Sequence, residues 1–180
     1  MGKSFDALTD EHIEWIGRQH LFFVASAPLD AAGHVNLSPK GYDTFRVVDE
    51  STVAYLDLTG SGVETIAHLR ENGRLTVMFC AFEGRPRILR IYGTGTAVRA
   101  DDEGFDALSA RFGSPSGLRS IITLAVERVG DSCGFSVPFL EYAGERETLV
   151  QWSDRKDQSE LGAYWNDRNA VSIDGLPGMT

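Results

Sequence analysis

Residues 21–27 (LFFVASA) form an unbroken apolar run rich in aromatics, the pattern of a buried strand. Upstream, Thr9 followed by Asp10 and Glu11 offers an N-cap and an acidic first turn. It would open a short helix that carries Ile13 and Ile16 and ends about His20. Downstream, Pro28, Asp30 and Gly33 mark a turn, and residues 34–39 (HVNLSP) return with period-two alternation that sets Val35 and Leu37 on one face. A hairpin is predicted. Residues 51–58 (STVAYLDL) make another strand, followed by the loop TGSG at 59–62 and a helix over 63–72 with apolar positions at Val63, Ile66, Ala67 and Leu69. Gly73 stands where a left-handed cap would stop that helix.

The strands opened by Arg74 (RLTVMFCAF) and Pro86 (PRILRIYGTGTAVRA) are separated by Glu83, Gly84 and Arg85, which is hairpin spacing with turn chemistry. Within the second strand, Gly93 and Gly95 permit a bulge or sharp bend of the kind barrel strands need. Asp102 is expected to cap a helix bearing Phe105, Leu108 and Phe112, which GSPSG at 113–117 ends. A strand over 122–129 and a helix over 160–169 follow, and SIDGLPGM at 172–179 has no regular period. Strands joined mainly by hairpins and interrupted by short helices imply a mainly β fold, an antiparallel barrel with peripheral helices. With no repeat or linker to split it, the chain reads as one domain over 1–180, with a core barrel at about 20–140 and a C-terminal extension at 141–180.

Composition narrows the function classes. The 180 residues are enough to bury roughly two-thirds of the unfolded surface, and 42% hydrophobic with 24% charged residues is ordinary for a globular protein. A net charge of −9, with Lys and Arg scattered, argues against nucleic acid or an anionic membrane surface as the main partner. Cys80 and Cys133 are the only cysteines, without Cys-x-x-Cys or a histidine cluster, so neither a disulfide framework nor a metal site is expected. Cys133 reads as a small apolar residue in a packed turn rather than a redox thiol. The N-terminus lacks the apolar core of a signal peptide and no apolar run reaches about 18 residues, so a reducing cytoplasm is the expected setting.

Arg85, Arg87 and Arg90 are unusual company for Ile88, Leu89 and Ile91, and they suggest a rim, an interface or an anion. Period-two alternation puts Arg85 and Arg87 on one face and Arg90 on the other. Ser26, Ser38 and His34 lie in no nucleophile elbow, and GTGTAV at 93–98 lies inside a strand rather than before a helix, so neither a hydrolase triad nor a dinucleotide fingerprint is indicated. Residues 37–43 (LSPKGYD) place Ser38 and Lys40 on one face of an extended segment, with Pro39 unable to donate to a ladder and Gly41 allowing close approach. Such a stretch is either a strand end with a solvated lysine or part of a phosphate or polar-ring site. At 59–62, Thr59, Ser61 and the free amides of the following helix are either simple caps or an anion site. Trp152, Tyr164 and Trp165 are expected to pack in the core or an interface.

Taken in order, VNLSPKG, TGSGVETIAHLRENGRLTVMF and PRILRIYGTGTAV resemble the pyridoxamine 5'-phosphate oxidase-related family, the flavin-binding split β-barrel, over about the first three-quarters of the chain. The resemblance implies FMN held without a covalent bond at a homodimer interface. Ser38, Pro39, Lys40 and Gly41 would line the ring, and Thr59, Ser61, Gly62, Thr65, Arg87 and Arg90 would hold the phosphate and ribityl chain. Arg87 and Arg90 match the arginines of the family's RQVRxxG strand, but Ile88 replaces the glutamine, and Gly62, Val63, Glu64 and Thr65 stand where the family has SRK. Both departures count against pyridoxamine phosphate oxidation itself. The segments SCGFSVPFLEY and SIDGLPGM resemble an actinobacterial-type branch without an assigned substrate. The implied activity is an FMN-dependent oxidoreductase exchanging electrons or hydride between a reduced nicotinamide and an unidentified small molecule, with no dedicated catalytic residue. The rivals are use of deazaflavin F420 and a flavin-binding protein without catalysis.

Overall fold

The computed structural model describes residues 2–113 and 115–179. Ser114, within the GSPSG stretch expected to end a helix, and both terminal residues of the expected 1–180 domain lie outside the described residues.

Among the described residues eight strands form one antiparallel sheet: β1 (Lys3–Phe5), β2 (Phe22–Ser26), β3 (Asn36–Lys40), β4 (Phe45–Asp49), β5 (Thr52–Leu58), β6 (Arg74–Cys80), β7 (Ile88–Val98) and β8 (Leu118–Ser132). Their order is β3-β2-β6-β7-β8-β5-β4, with β1 paired to the far end of β8. The end strands β3 and β4 share no ladder, yet the Phe45 ring of β4 lies 5.0 Å from both Phe22 of β2 and Phe79 of β6. The sheet has therefore rolled until its two ends face one interior, which is a barrel left split between β3 and β4.

Strand β5 shows how the chain supplies that roll. Residues 53–57 are all buried, because alternate side chains enter different cores. Val53 and Tyr55 join the barrel interior with Phe22, Val77, Phe79, Leu89, Ile91 and Leu124, while Ala54 and Leu56 face a smaller outer cluster with Ile121. That outer cluster is covered by Phe105, Leu108 and Phe112. The next interior-facing position after Tyr55 is Asp57, so the apolar interior ends on a buried carboxylate.

Among the described residues five helices decorate the sheet: α1 (Asp10–Ile16), α2 (Glu64–Asn72), α3 (Phe105–Ser109), α4 (Thr148–Asp154) and α5 (Gln158–Arg168). Thr9 and His12 form a reciprocal capping box at α1, and Asp157 and Glu160 do the same at α5. Gly73 ends α2 at φ 70°, its N–H donating to the Leu69 carbonyl at 3.1 Å. Among the described residues no helix is long and apolar enough to cross a membrane.

Several expectations need correction. Helix α1 stops at Ile16, short of His20, because Gly17 caps it. Asp102 does not cap α3: Gly104 occupies that position, the Asp102 carboxylate accepts from the Arg99 N–H at 2.8 Å, and Phe112 lies beyond the helix end. Cys133 is exposed rather than packed in a turn. Strand β8 runs well past 122–129 at both ends, since its neighbours β7, β5 and β1 offer ladder partners along its length. Strands β1 and β4 and helix α4 carry no pattern that predicted them. Trp165 does pack against the core, and Trp152 stacks edge-on with Tyr164 at 5.1 Å.

The register of β7 against β8 shifts between Tyr92 and Gly93. A Cβ at Gly93 would overlap the backbone carbonyl of Ala125, which cannot retreat without tearing the ladder. Gly93→Ala is expected to abolish soluble folded protein or lower the urea midpoint steeply. By contrast Gly162→Ala, in open space on α5, should leave the midpoint unchanged or raise stability by about 0.5–1 kcal/mol.

Candidate functional site

At the end of the barrel interior, β3, the end of β5, the loop at 59–63 and the first turn of α2 enclose a polar cleft of about 260 Å3. Asn36, Ser38, Pro39 and Lys40 come from β3, Gly62, Glu64 and Thr65 from the loop and helix, and Asp57 and Arg119 from β5 and β8. Two hydrogen-bonded systems build it.

The first is ionic. Arg119 Nε donates to Asp57 Oδ2 at 2.9 Å, Lys40 Nζ to Asp57 Oδ1 at 3.3 Å, and Ser120 Oγ to Oδ2 at 3.4 Å. Both side chains of the Asp57–Arg119 pair are at most 5% exposed. Burial by itself raises the carboxyl pKa, but the charges and hydrogen bonds of Arg119 and Lys40 outweigh it and hold Asp57 below the ordinary carboxylate value. Arg119 Nη1 also donates to the Gly62 carbonyl at 2.8 Å and to Asn169 Oδ1 at 2.9 Å. Asn169, fully buried after α5, donates in turn to the Gly60 carbonyl at 3.0 Å and the Ser61 carbonyl at 3.3 Å. Loop 59–63 is thus fixed through its own carbonyls.

The second system is neutral. Ser38 Oγ donates to Asn36 Oδ1 at 3.0 Å, and Asn36 Nδ2 donates to Thr65 Oγ1 at 3.0 Å and to Ser26 Oγ at 3.2 Å. Ser26 Oγ lies 3.0 Å from His68 Nδ1, and burial lowers the His68 pKa, which keeps the ring neutral at physiological pH. These bonds lock β3 to α2 and leave hydroxyl and amide edges on the cleft surface.

The ten positions singled out in the sequence divide. Ser38, Pro39, Lys40, Gly62 and Thr65 meet in the cleft. Thr59 is close by but buried, donating to the Gly117 carbonyl at 2.7 Å and accepting from Trp165 Nε1 at 2.9 Å. Ser61 is exposed and lends only its carbonyl. Gly41 lies outside the cleft wall, against Glu145 and the His20 carbonyl. Arg87 is elsewhere: its guanidinium forks onto Asp131 at 2.6 and 3.1 Å, reaches Glu11 at 3.0 Å and covers the Trp15 ring at 5.2 Å. Arg90 donates to Ser132 Oγ at 3.4 Å, on the face of β7 opposite the buried Leu89 and Ile91. Arg85 and Arg87 precede β7, so strand alternation does not relate them.

Asn36, Asp57, Glu64, Arg119 and Asn169 were not anticipated. Asp57 carried a signal, a carboxylate inside an otherwise apolar strand. Arg119 and Asn169 carried none, because what matters is their meeting with residues 50 or more positions away.

A family model described as pyridoxamine 5'-phosphate oxidase matches residues 8–133. The pyridoxamine 5'-phosphate oxidase family protein ustO of Aspergillus flavus is 42% identical over 192 residues, covering 97% of this chain and 77% of that protein. The chain belongs to the pyridoxamine 5'-phosphate oxidase family. Among solved structures, a HupZ variant of Group A Streptococcus superimposes with a TM-score of 0.53 at 26% identity, covering 69% of this chain and 98% of that one. The FAD binding protein of Mycobacterium smegmatis shares the fold with a TM-score of 0.50 at 14% identity, covering 71% and 97% of the two chains. In this pyridoxamine 5'-phosphate oxidase family member the residues lining the cleft fall within the matched region, and Asn169 and Trp165 brace loop 59–63 from beyond it.

Removing one partner of a buried ion pair strands the other, at a cost of about 3–5 kcal/mol. Asp57→Asn should lose that much in urea unfolding at pH 7. Because the native Asp57 pKa is depressed, its contribution is complete above the unfolded value of about 3.9 and disappears as pH falls through the native value. The wild-type unfolding midpoint should therefore drop more steeply below about pH 4 than that of the variant.

Proposed function

We propose that this protein binds FMN and acts as a flavin-dependent oxidoreductase on a small molecule. The observation that supports it most directly is the convergence of Lys40, the hydroxyls of Ser38 and Thr65, the Asn36 amide and the first-turn amides of α2 on one cleft. A helix N-terminus with a nearby ammonium suits a phosphate, and hydroxyl and amide edges suit a ribityl chain. Glu64 lines the same cleft from that first turn, and one oxygen of its carboxylate, Oε1, is engaged by the Ile173 N–H at 3.3 Å. The donor set therefore fits the polar tail of FMN, with Lys40, Thr65 and the α2 amides at the phosphate and Asn36 and Ser38 along the chain.

At about 260 Å3 the cleft is smaller than the roughly 300–1,000 Å3 of a complete small-molecule site. A second copy of the chain would complete it. Val35 and Leu37 support that reading: they stand 75% and 62% exposed on or beside β3, an edge strand, next to Ser38. Such apolar exposure is characteristic of a surface that another protein covers.

When bound, the isoalloxazine supplies the two-electron chemistry. The protein's own groups bind and orient it, and the Asp57–Arg119 pair keeps Lys40 and loop 59–63 in place. Electrons would come from a reduced nicotinamide and pass to the small-molecule acceptor.

Visible absorbance and fluorescence titration with FMN test the binding. Wild-type protein should develop flavin bands and quench FMN fluorescence, and Lys40→Ala and Thr65→Val should each bind at least tenfold more weakly, about 1.4 kcal/mol. Anaerobic addition of reduced nicotinamide should then bleach the bound flavin. Absence of FMN binding alongside binding of F420 would replace the cofactor assignment, and bound FMN that no nicotinamide reduces would leave a flavin carrier.

A further inference from the structure

A second cavity, about 520 Å3, lies beyond the start of β2 from the polar cleft, between the end of α1, the β6–β7 hairpin and residues 140–142. Its volume falls within the small-molecule range of about 300–1,000 Å3. Trp15, Leu21, Phe82 and Leu140 give it apolar walls, and the parallel rings of His20 and Tyr142, 3.7 Å apart, add another. The outer wall is held in place by backbone groups. The Leu140 N–H donates to the Phe82 carbonyl at 3.1 Å, and the Tyr142 N–H donates to Glu83 Oε1 at 3.2 Å. None of these residues lines the polar cleft.

Four charged side chains reach the cavity, and their existing bonds sort them. Arg18 is held by Glu14 at 2.6 Å, and Glu83 by the Tyr142 amide. Arg85 and Glu141 are exposed and make no hydrogen bond or ion pair among the described residues. Aromatic walls with one unengaged charge of each sign select a ligand that carries a ring, an anion and a cation. A guanidinium suits a carboxylate because its parallel N–H groups match both oxygens. Cys80 adds surface rather than a nucleophile, since burial pushes its thiol pKa up.

We propose that this cavity binds a small aromatic zwitterion of the free aromatic amino-acid type, with its ring against Trp15 and Phe82, its carboxylate on Arg85 and its ammonium on Glu141. The site is separate from the cleft assigned to the flavin and stands whether or not FMN binds there.

Isothermal titration of the full chain with L-tryptophan, with and without saturating FMN, tests it. 3-Indolepropionate, lacking the ammonium, and tryptamine, lacking the carboxylate, are the comparison ligands. L-Tryptophan should saturate one site per chain, with each comparison ligand at least tenfold weaker. Arg85→Ala should weaken L-tryptophan about tenfold and leave tryptamine unchanged, while Glu141→Gln should weaken L-tryptophan and leave 3-indolepropionate unchanged. Both substitutions replace exposed, unengaged side chains, and unchanged unfolding midpoints would confirm that folding is intact. Absence of binding, equal affinity for the three ligands, indifference to both substitutions, or displacement of L-tryptophan by FMN would each overturn the assignment.

Discussion

Asp57 and Arg119 meet at 2.9 Å where the apolar interior of the barrel ends, and the cleft depends on that contact. Taking two charges out of water is costly, and the cost is met only when the remaining donors and acceptors are satisfied. Here they are, by Lys40 and Ser120 on the carboxylate and by the Gly62 carbonyl and Asn169 on the guanidinium. One interaction therefore joins β5 to β8, orients the lysine of β3 and anchors the loop that leads into α2. Neighbouring polar groups inherit their positions from it.

The architecture explains why a polar cluster can sit so close to an apolar core. Alternation along β5 sends Val53 and Tyr55 into the barrel and Ala54 and Leu56 to the outer cluster, so one strand serves two cores and then delivers Asp57 to the mouth of the first. The family match ends at Cys133, but the C-terminal segment is structural in this chain: Trp165 donates to Thr59, and Asn169 fastens the carbonyls of Gly60 and Ser61. The 97% coverage by ustO shows that a relative shares nearly the whole length, while the superposition with HupZ covers 69%.

What the sequence revealed follows from how local each determinant is. The apolar run at 21–27, the strand at 51–58, the Gly73 cap and the Gly93 bulge each depend on a few adjacent residues, and each was legible. β1 has only three residues and exists because the end of β8 offers a ladder partner, which no local pattern records. The capping role expected of Asp102 failed because its carboxylate found the Arg99 amide first. Ser38, Lys40 and Thr65 stood out through residue type near glycine and proline. The placement of Arg87 was decided instead by Asp131, Glu11 and Trp15, from two distant parts of the chain.

The Asn169 clamp gives assembly of this protein a temporal order. The eight strands of the described residues have all been translated once residue 132 leaves the ribosome, and their ladders with one another use no described residue beyond it. Loop 59–63 meets Arg119 as β8 pairs, but the bonds from Asn169 to its Gly60 and Ser61 carbonyls come only when that residue arrives more than a hundred positions behind it. Long-range contacts of this kind form late because closing the intervening chain costs entropy that only the finished contact recovers. A nascent barrel would therefore hold its β architecture and the Arg119 anchor before the Asn169 bonds close, and the final bracing of the loop would be the last step in building the cleft.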